Sequence, residues 1–172
     1  MKPEVHASPS VMLVVFTLDG QKFALQLDCV ERVVHAVEIT PLPQAPDIVA
    51  GIVNAQGRVI PVVNARRRFR LPERESELSD RLMILQTARR VVGMAVDAVS
   101  GVIECPLQKI IASDKILPGI EYVKGVVKLD DGMIFIHDID GFLSLEEEKA
   151  LGEACGKLKN AETALGKIIE TW

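Results

Sequence analysis

The chain has 172 residues, 48% hydrophobic and 26% charged, enough to bury a core without a disulfide framework or a structural metal. Its formal net charge of −4 argues against a wholesale nucleic-acid binder and against a polybasic membrane tether, so any electropositive site has to be local. Aromatic residues make up only 4%, too few for a base-stacking platform or a ligand cage, which leaves the core to Val, Ile and Leu.

Residues 1–10 hold Pro, Ser and His without the apolar stretch of a signal peptide and read as a flexible tail. No later run approaches the roughly 20 apolar residues that span a bilayer, so the mature protein is expected to be the whole chain, with no direct membrane insertion. Residues 11–18 are β-branched and apolar, and Asp19-Gly20 suits a two-residue hairpin turn in which both central residues take positive φ. In the returning strand Phe23, Leu25 and Leu27 alternate with Ala24 and Gln26, the period of a strand with one buried face.

This segment repeats. At an offset of 69, Phe23 falls on Val92, Leu25 on Met94, Leu27 on Val96, Asp28 on Asp97, Val30 on Val99 and Val33 on Val102. Farther on, Gly51-Ile-Val falls on Gly125-Val-Val at 74 and the turn pair Gln56-Gly57 on Asp131-Gly132 at 75. An internal duplication is the economical explanation. Short, closely spaced strands with Gly and Pro punctuation predict a small closed sheet in each copy rather than alternating βα units, hence two small barrels in one chain.

Between the copies, residues 66–70 form the one dense basic run, Arg-Arg-Arg-Phe-Arg, the phosphate-contacting patch if the protein bound RNA or DNA. Glu73, Glu75 and Glu77 follow at once and neutralise it, which favours a solvated or protein-facing segment. Residues 70–80 are polar and charged and read as a flexible linker. At the far end Ser144-Leu-Glu-Glu147 is a capping box that starts a helix. The helix carries a heptad seam of Leu151, Ala154, Leu158, Ala161, Leu165, Ile168 and Trp172. Glycines at 152, 156 and 166 weaken it, so it needs a surface: its own barrels first, a partner helix or self-association second.

Motifs that tie catalysis to spacing are absent. In His137-Asp138-Ile139-Asp140 neighbouring residues on a strand point to opposite faces, so at most His137 and Ile139 share a side. That argues for a strand ending in a polar turn over a metal site, or over an enzyme using His137 with Asp138 or Asp140. Cys29, Cys105 and Cys155 share no close spacing and read as reduced, inert thiols of a cytoplasmic protein. Asp28 and Asp97, equivalent in the repeat, are expected to accept from turn N–H groups.

The ordered set Phe16-x-Leu18, Phe23-Ala-Leu, Val30-x-x-Val33, Ile39-x-Pro-Leu-Pro43, Gly51-Ile-Val-Asn54-x-x-Gly57-x-Val-Ile-Pro61, Val96-Asp97-x-Val99, Gly125-Val-Val and the segment Ile134 to Ile139 resembles the CheW family over about residues 11–145. The resemblance implies two five-stranded SH3-like barrels, which with the helix read from the capping box gives a mainly β fold followed by a C-terminal α-helix at 146–172. The halves would span about 11–78 and 79–145, with strands open to exchange between them. It further implies no catalytic activity, no cofactor and no metal. The implied role is an adaptor joining the cytoplasmic tip of methyl-accepting chemoreceptors to the regulatory domain of a CheA-type histidine kinase. One barrel face would take the like-folded kinase domain, and the groove between barrels the receptor tip.

Two positions depart from the family pattern. Gln56 stands where the family's Asn-Leu-Arg-Gly has Arg, and Arg32 where an acidic residue is usual. An amide does not reproduce the planar bidentate fork of a guanidinium, and Arg58, one step beyond the turn, is the candidate replacement. The partner-binding residues are therefore expected to be Val33, Asn54, Gln56, Gly57 and Arg58, with Arg32 setting charge preference. Whether the partners are the standard receptor and kinase or those of a separate array stays open. The alternative in another class is a small-barrel nucleic-acid module using the 66–70 run.

Overall fold

The computed structural model describes residues 9–55, 57–112, 122–130 and 132–170, the last ten of these by backbone alone. Strand β1 (Ser10–Leu18) returns antiparallel as β2 (Gln21–Gln26), with Leu18 opposite Gln21. The intervening Asp19 and Gly20 take φ of 52° and 78°, as the hairpin pair requires. Then follow β3 (Val30–His35), β4 (Val49–Ala55), β5 (Arg58–Val63), a one-turn α1 (Ala65–Arg68), β6 (Arg81–Gln86), β7 (Val91–Val96), β8 (Ala98–Pro106), β9 (Ile110–Ala112), β10 (Val123–Leu129), β11 (Gly132–His137) and the helix α2 (Leu145–Glu170).

The strands form two sheets, ordered β8-β1-β2-β11-β10-β9 and β3-β6-β7-β5-β4. Neither sheet follows the linear halves of the chain. The leading hairpin of the first copy, β1–β2, sits among strands of the second; β6–β7 sits among strands of the first. Alternation along the exchanged hairpins explains the arrangement. Leu13, Val15 and Ala24 fill the interior of the six-stranded sheet, and Leu82 and Ile84 that of the five-stranded sheet. The intervening Val14, Phe16, Phe23, Leu25, Met83, Leu85, Val92 and Met94 form a third core between the sheets. Both faces of these hairpins are buried, which is why their sequences read as near-continuous apolar runs.

The count of five strands per sheet is met on one side only. After β8 the chain makes a 3-10 turn (Leu107–Lys109) and pairs again as β9, whereas the counterpart after β3 is a single bridge, Thr40 to Ile52. Both closures need a glycine. The strand register shifts at Gly51 in β4 and again at Gly125 in β10. At each bulge another backbone crosses too close for a side chain: a Cβ on Gly51 would overlap the Thr40 carbonyl, and one on Gly125 would lie 2.9 Å from the Ile111 oxygen. The duplicated glycine thus marks a duplicated crossing.

One detail of the repeat alignment is corrected. The hairpin ends are Ala55 opposite Arg58 and Leu129 opposite Gly132, so the turn residues are 56–57 and 130–131 and the offset remains 74. Gly132 is the first residue of its strand, and its match to Gly57 is coincidental.

The capping box closes as expected. The Glu147 N–H donates to Ser144 Oγ at 3.1 Å, and the Ser144 N–H to Glu147 Oε1 at 2.9 Å. Leu151 and Ala154 are buried in the inter-sheet core, with Cys155 and Leu158 packed half-buried against it. Arg68 and Arg90 hold Glu147 and Glu148, each at 2.6 Å. Of the expected seam, the side chains of Ala161, Leu165 and Ile168, and all of Trp172, lie outside the described residues.

Candidate docking face

Of the expected site residues, Arg32, Val33, Asn54 and Arg58 lie on strands of the five-stranded sheet and Gly57 in a turn beside them. Strand β3 is an edge strand, and its pairing with β6 shifts register between Val30 and Arg32. The bulge leaves Glu31 as the extra residue, and Glu31, Arg32 and Val33 are all exposed in succession. Charges on an edge strand also have a plain structural use, since they discourage edge-to-edge pairing. At the opposite side of the sheet, the Gly57 N–H donates to Asn54 Oδ1 at 3.1 Å and tightens the β4–β5 turn. Gln56 lies outside the described residues. Arg58 reaches across to Glu31 at 2.7 Å, which brings the turn and β3 onto one surface. Both partners are more than a third exposed, so the pair orients charge rather than holding the fold.

Val33 on β3, Val37 in the loop that follows β3 and Val59 on β5 are 39%, 45% and 44% exposed. Val37 and Val59 border a shallow crevice of about 370 Å³, completed by Glu38, Thr40, Ile52 and Asn54. Sequence reasoning missed Glu31, Val37 and Val59. The signal for Val59 was present, because its repeat counterpart at offset 74 is the similarly exposed Met133. The arrangement is apolar, open and rimmed by one ion pair, suited to docking a protein surface rather than enclosing a small molecule.

The other candidates go elsewhere. Arg66 binds Asp97 at 2.6 Å, Arg67 binds Glu73 at 2.7 Å and the Asp47 carbonyl, and Arg68 binds Glu147 while lying 5.5 Å over the Phe142 ring. Arg66 and Arg68 are spent on internal pairs, whereas Arg67 and Arg70 stay exposed and Glu73 neutralises Arg67, so the run is the solvated segment the sequence suggested only in part. The linker is likewise pinned: Arg74 joins Asp80 and Asp97, each at 2.7 Å. Asp97 also accepts from the Asp19 N–H at 2.7 Å, so one carboxylate ties the β1–β2 turn, α1 and the linker together. Burial pushes its pKa up, but the Arg66 and Asp19 hydrogen bonds and the two guanidinium charges more than offset this and hold it below the usual carboxylate range. Its repeat mate Asp28 lies in the 3-10 turn Leu27–Cys29, outside this network. Asp97→Asn should lower stability by about 1–3 kcal/mol at neutral pH. A group with a depressed folded pKa contributes above its unfolded pKa and loses that contribution as pH falls. The gap between Asp97→Asn and the parent in urea unfolding should therefore close in acid; a gap independent of pH would contradict this role.

His137 and Ile139 are both buried, while Asp140 turns outward to accept from the Ala88 N–H at 2.7 Å. Burial alone pushes His137 down to about 3, so its imidazole is neutral across physiological pH and its two ring nitrogens find no partner among the described residues. Its neighbours are rings: Phe69 at 4.1 Å, Phe23 at 5.1 Å and Phe16 at 5.5 Å. All five Phe and Tyr122 join this cluster between the sheets, so the few aromatics are concentrated where the sheets meet. Burial raises Cys29 to about 11, the thiol of a poor nucleophile. Among the described residues no group of three His, Cys, Asp or Glu side chains could hold a metal, and no helix is long and apolar enough to cross a membrane.

A family model described as the CheW-like domain matches residues 12–147. The chain is 33% identical over 143 residues to a chemotaxis protein CheW of Thermotoga maritima, covering 81% of this chain and 92% of that one. It is 29% identical over 140 residues to a chemotaxis protein CheW of Rhizobium meliloti, covering 80% and 90%. The crystal structure of a scaffolding protein, TtCheW, from Thermoanaerobacter tengcongensis superposes with a TM-score of 0.73 at 29% identity, covering 81% of this chain and 96% of that one.

Proposed function

The chain belongs to the CheW-like domain family, and from that premise we propose that it is a cytoplasmic, non-catalytic chemotaxis adaptor. It holds the regulatory domain of a CheA-type kinase and the cytoplasmic tip of a chemoreceptor in one assembly. The observation that supports this most directly is the set of exposed valines at the five-stranded sheet: Val37 and Val59 line one open crevice, and Val33 lies on the strand whose Glu31 pairs with Arg58. Such a surface presents apolar area for a partner and a charge pair that selects among partners. Coupling then requires only that the two bound partners bias each other, typically by about 1–3 kcal/mol. Nothing favours the nucleic-acid reading, since Arg66, Arg67 and Arg68 are each paired with a carboxylate, Asp97, Glu73 and Glu147.

The test is calorimetric titration of the full chain with a CheA regulatory-domain fragment and, separately, with a receptor-tip fragment from the same cell. Val33→Glu and Val59→Glu should each weaken one of these complexes at least about tenfold. Both positions are surface sites, so the melting temperature should hardly move. Gln56→Arg should change the relative affinity for the two partners with stability unaltered. Binding that all three variants leave untouched would place the docking face elsewhere.

A further inference from the structure

The duplication pairs two cavities. In the first, of about 200 Å³, Ala50, Val63, Arg66, Ala95 and Asp97 are among the lining residues with Arg74 of the linker, and Arg66 and Arg74 hold the Asp97 carboxylate at 2.6 and 2.7 Å. At the offsets of 74 and 69 the equivalent residues are Lys124, His137, Asp140, Gln26 and Asp28, and they line one cavity of about 270 Å³. Here the charges are inverted. Asp140 stands where the other cavity has Arg66, and the position matching Arg74 is Glu148, which belongs to α2 and is bound to Arg90. The Asp28 carboxylate is left with no ion pair or hydrogen bond among the described residues. Asp140 accepts from the Ala88 N–H at 2.7 Å, and Lys124 donates to Gln26 Oε1 at 3.3 Å, so the rim carries two carboxylates against one ammonium. Besides burial, Asp28 raises the pKa of the Cys29 thiol, Lys124 lowers it and Asp140 raises it, which sets all three charges around one wall of the cavity. His137 lines the same cavity, 2% exposed and with both ring nitrogens unpartnered among the described residues. A buried polar group in that condition calls for a partner.

We propose that this cavity binds a guanidinium group from outside the chain, supplied by a small molecule or by an arginine of a bound protein, where its twin is filled by the chain's own Arg66 and Arg74. The planar fork of N–H donors suits the carboxylates of Asp28 and Asp140. The neutral imidazole of His137 offers a lone pair to a further N–H. Val63, at the twin position, is buried and apolar, and there the guanidiniums come from within the chain. The site shares no residue with the crevice at Val37 and Val59, so it stands apart from the docking face.

The test is an NMR titration of the full chain with methylguanidinium chloride and, separately, with a blocked Gly-Arg-Gly peptide, each to about 20 mM, since a fragment of this size binds in the millimolar range. Both probes should shift the Ala88 amide and the His137 ring protons saturably. Tighter binding of the bare group assigns a small molecule as the source, and tighter binding of the peptide assigns an arginine side chain. Asp28→Asn and His137→Phe should each weaken binding at least about tenfold, read at the Ala88 amide in proteins whose melting curves show them folded. Asp140→Arg should rebuild with Asp28 the ion pair that Arg66 makes with Asp97, raise the melting temperature and abolish binding. Tetramethylammonium chloride, a cation without N–H donors, should shift neither signal. No saturable shift with either guanidinium probe, equal shifts from tetramethylammonium, or binding that survives Asp28→Asn and Asp140→Arg would each overturn the proposal.

Discussion

Replacing His137 with Phe is expected to raise the melting temperature and to remove most of the extra acid sensitivity between pH 6.5 and about 3. In the folded chain the imidazole is 2% exposed and packed among phenyl rings. Unfolded, it titrates near its ordinary value. A group whose folded pKa is depressed in this way binds its proton only on unfolding, so the unfolded state gains as pH falls below 6.5. A shift from 6.5 to about 3 corresponds to roughly 5 kcal/mol once both transitions are passed. At neutral pH the substitution also removes two buried nitrogens without partners, each a cost in an apolar surrounding. The repeat counterpart of this position, Val63, is apolar and equally buried, so the strand itself does not require an imidazole. Urea unfolding of parent and His137→Phe at pH 7 and pH 4 decides the matter. Equal slopes of stability against pH in the two proteins would mean that His137 is not the neutral core residue described.

Gly51→Ala is expected to cost about 3 kcal/mol or more, the loss characteristic of a forced backbone shift. The new Cβ would overlap the Thr40 carbonyl and approach within 2.9 Å of Ile39 Cγ2, and the residue sits at φ 154°. Backbone on both sides of the contact is hydrogen-bonded, Thr40 N–H to the Ile52 oxygen at 2.9 Å and Ile52 N–H to the Thr40 oxygen at 2.7 Å, so neither side yields cheaply. Gly125→Ala should behave similarly at the matching crossing. Gly57→Ala is the control: its φ of 81° is strained for alanine, yet nothing lies within 4 Å, so only the conformational cost of about 1 kcal/mol applies. If Gly51→Ala unfolds at the same urea concentration as Gly57→Ala, the close crossing is not what holds this glycine.

The candidate site was legible in part. Val33, Asn54, Gly57, Arg58 and Arg32 were expected there from ordered motifs, and the structure puts Arg58 and Glu31 in contact. Val59 was missed because an exposed valine in an apolar strand has the same local pattern as a buried one, and Val37 because it lies in the loop after β3, where no periodicity marks a face. The 66–70 run was legible in part: Glu73 neutralises Arg67, as its place in the sequence suggested. A density of guanidiniums signals charge, but whether that charge is free depends on carboxylates as far away as Asp97 and Glu147.

What the sequence by itself determined is what short-range physics controls. The Asp19-Gly20 hairpin follows from two residues that tolerate positive φ, the Ser144–Glu147 cap from a hydroxyl and a carboxylate three residues apart, and the duplication from character preserved at fixed offsets. Which hairpin belongs to which sheet was decided only in three dimensions. Alternation tells a strand that it has two faces, but β1, β2, β6 and β7 are apolar on both, and nothing in their own residues says which barrel each face should fill. Exchange of the two hairpins puts one face of each inside a sheet and the other into the core between sheets. That choice gathers His137 and the phenyl rings at the junction, and long-range packing, unlike turns and caps, leaves no local pattern from which to read it.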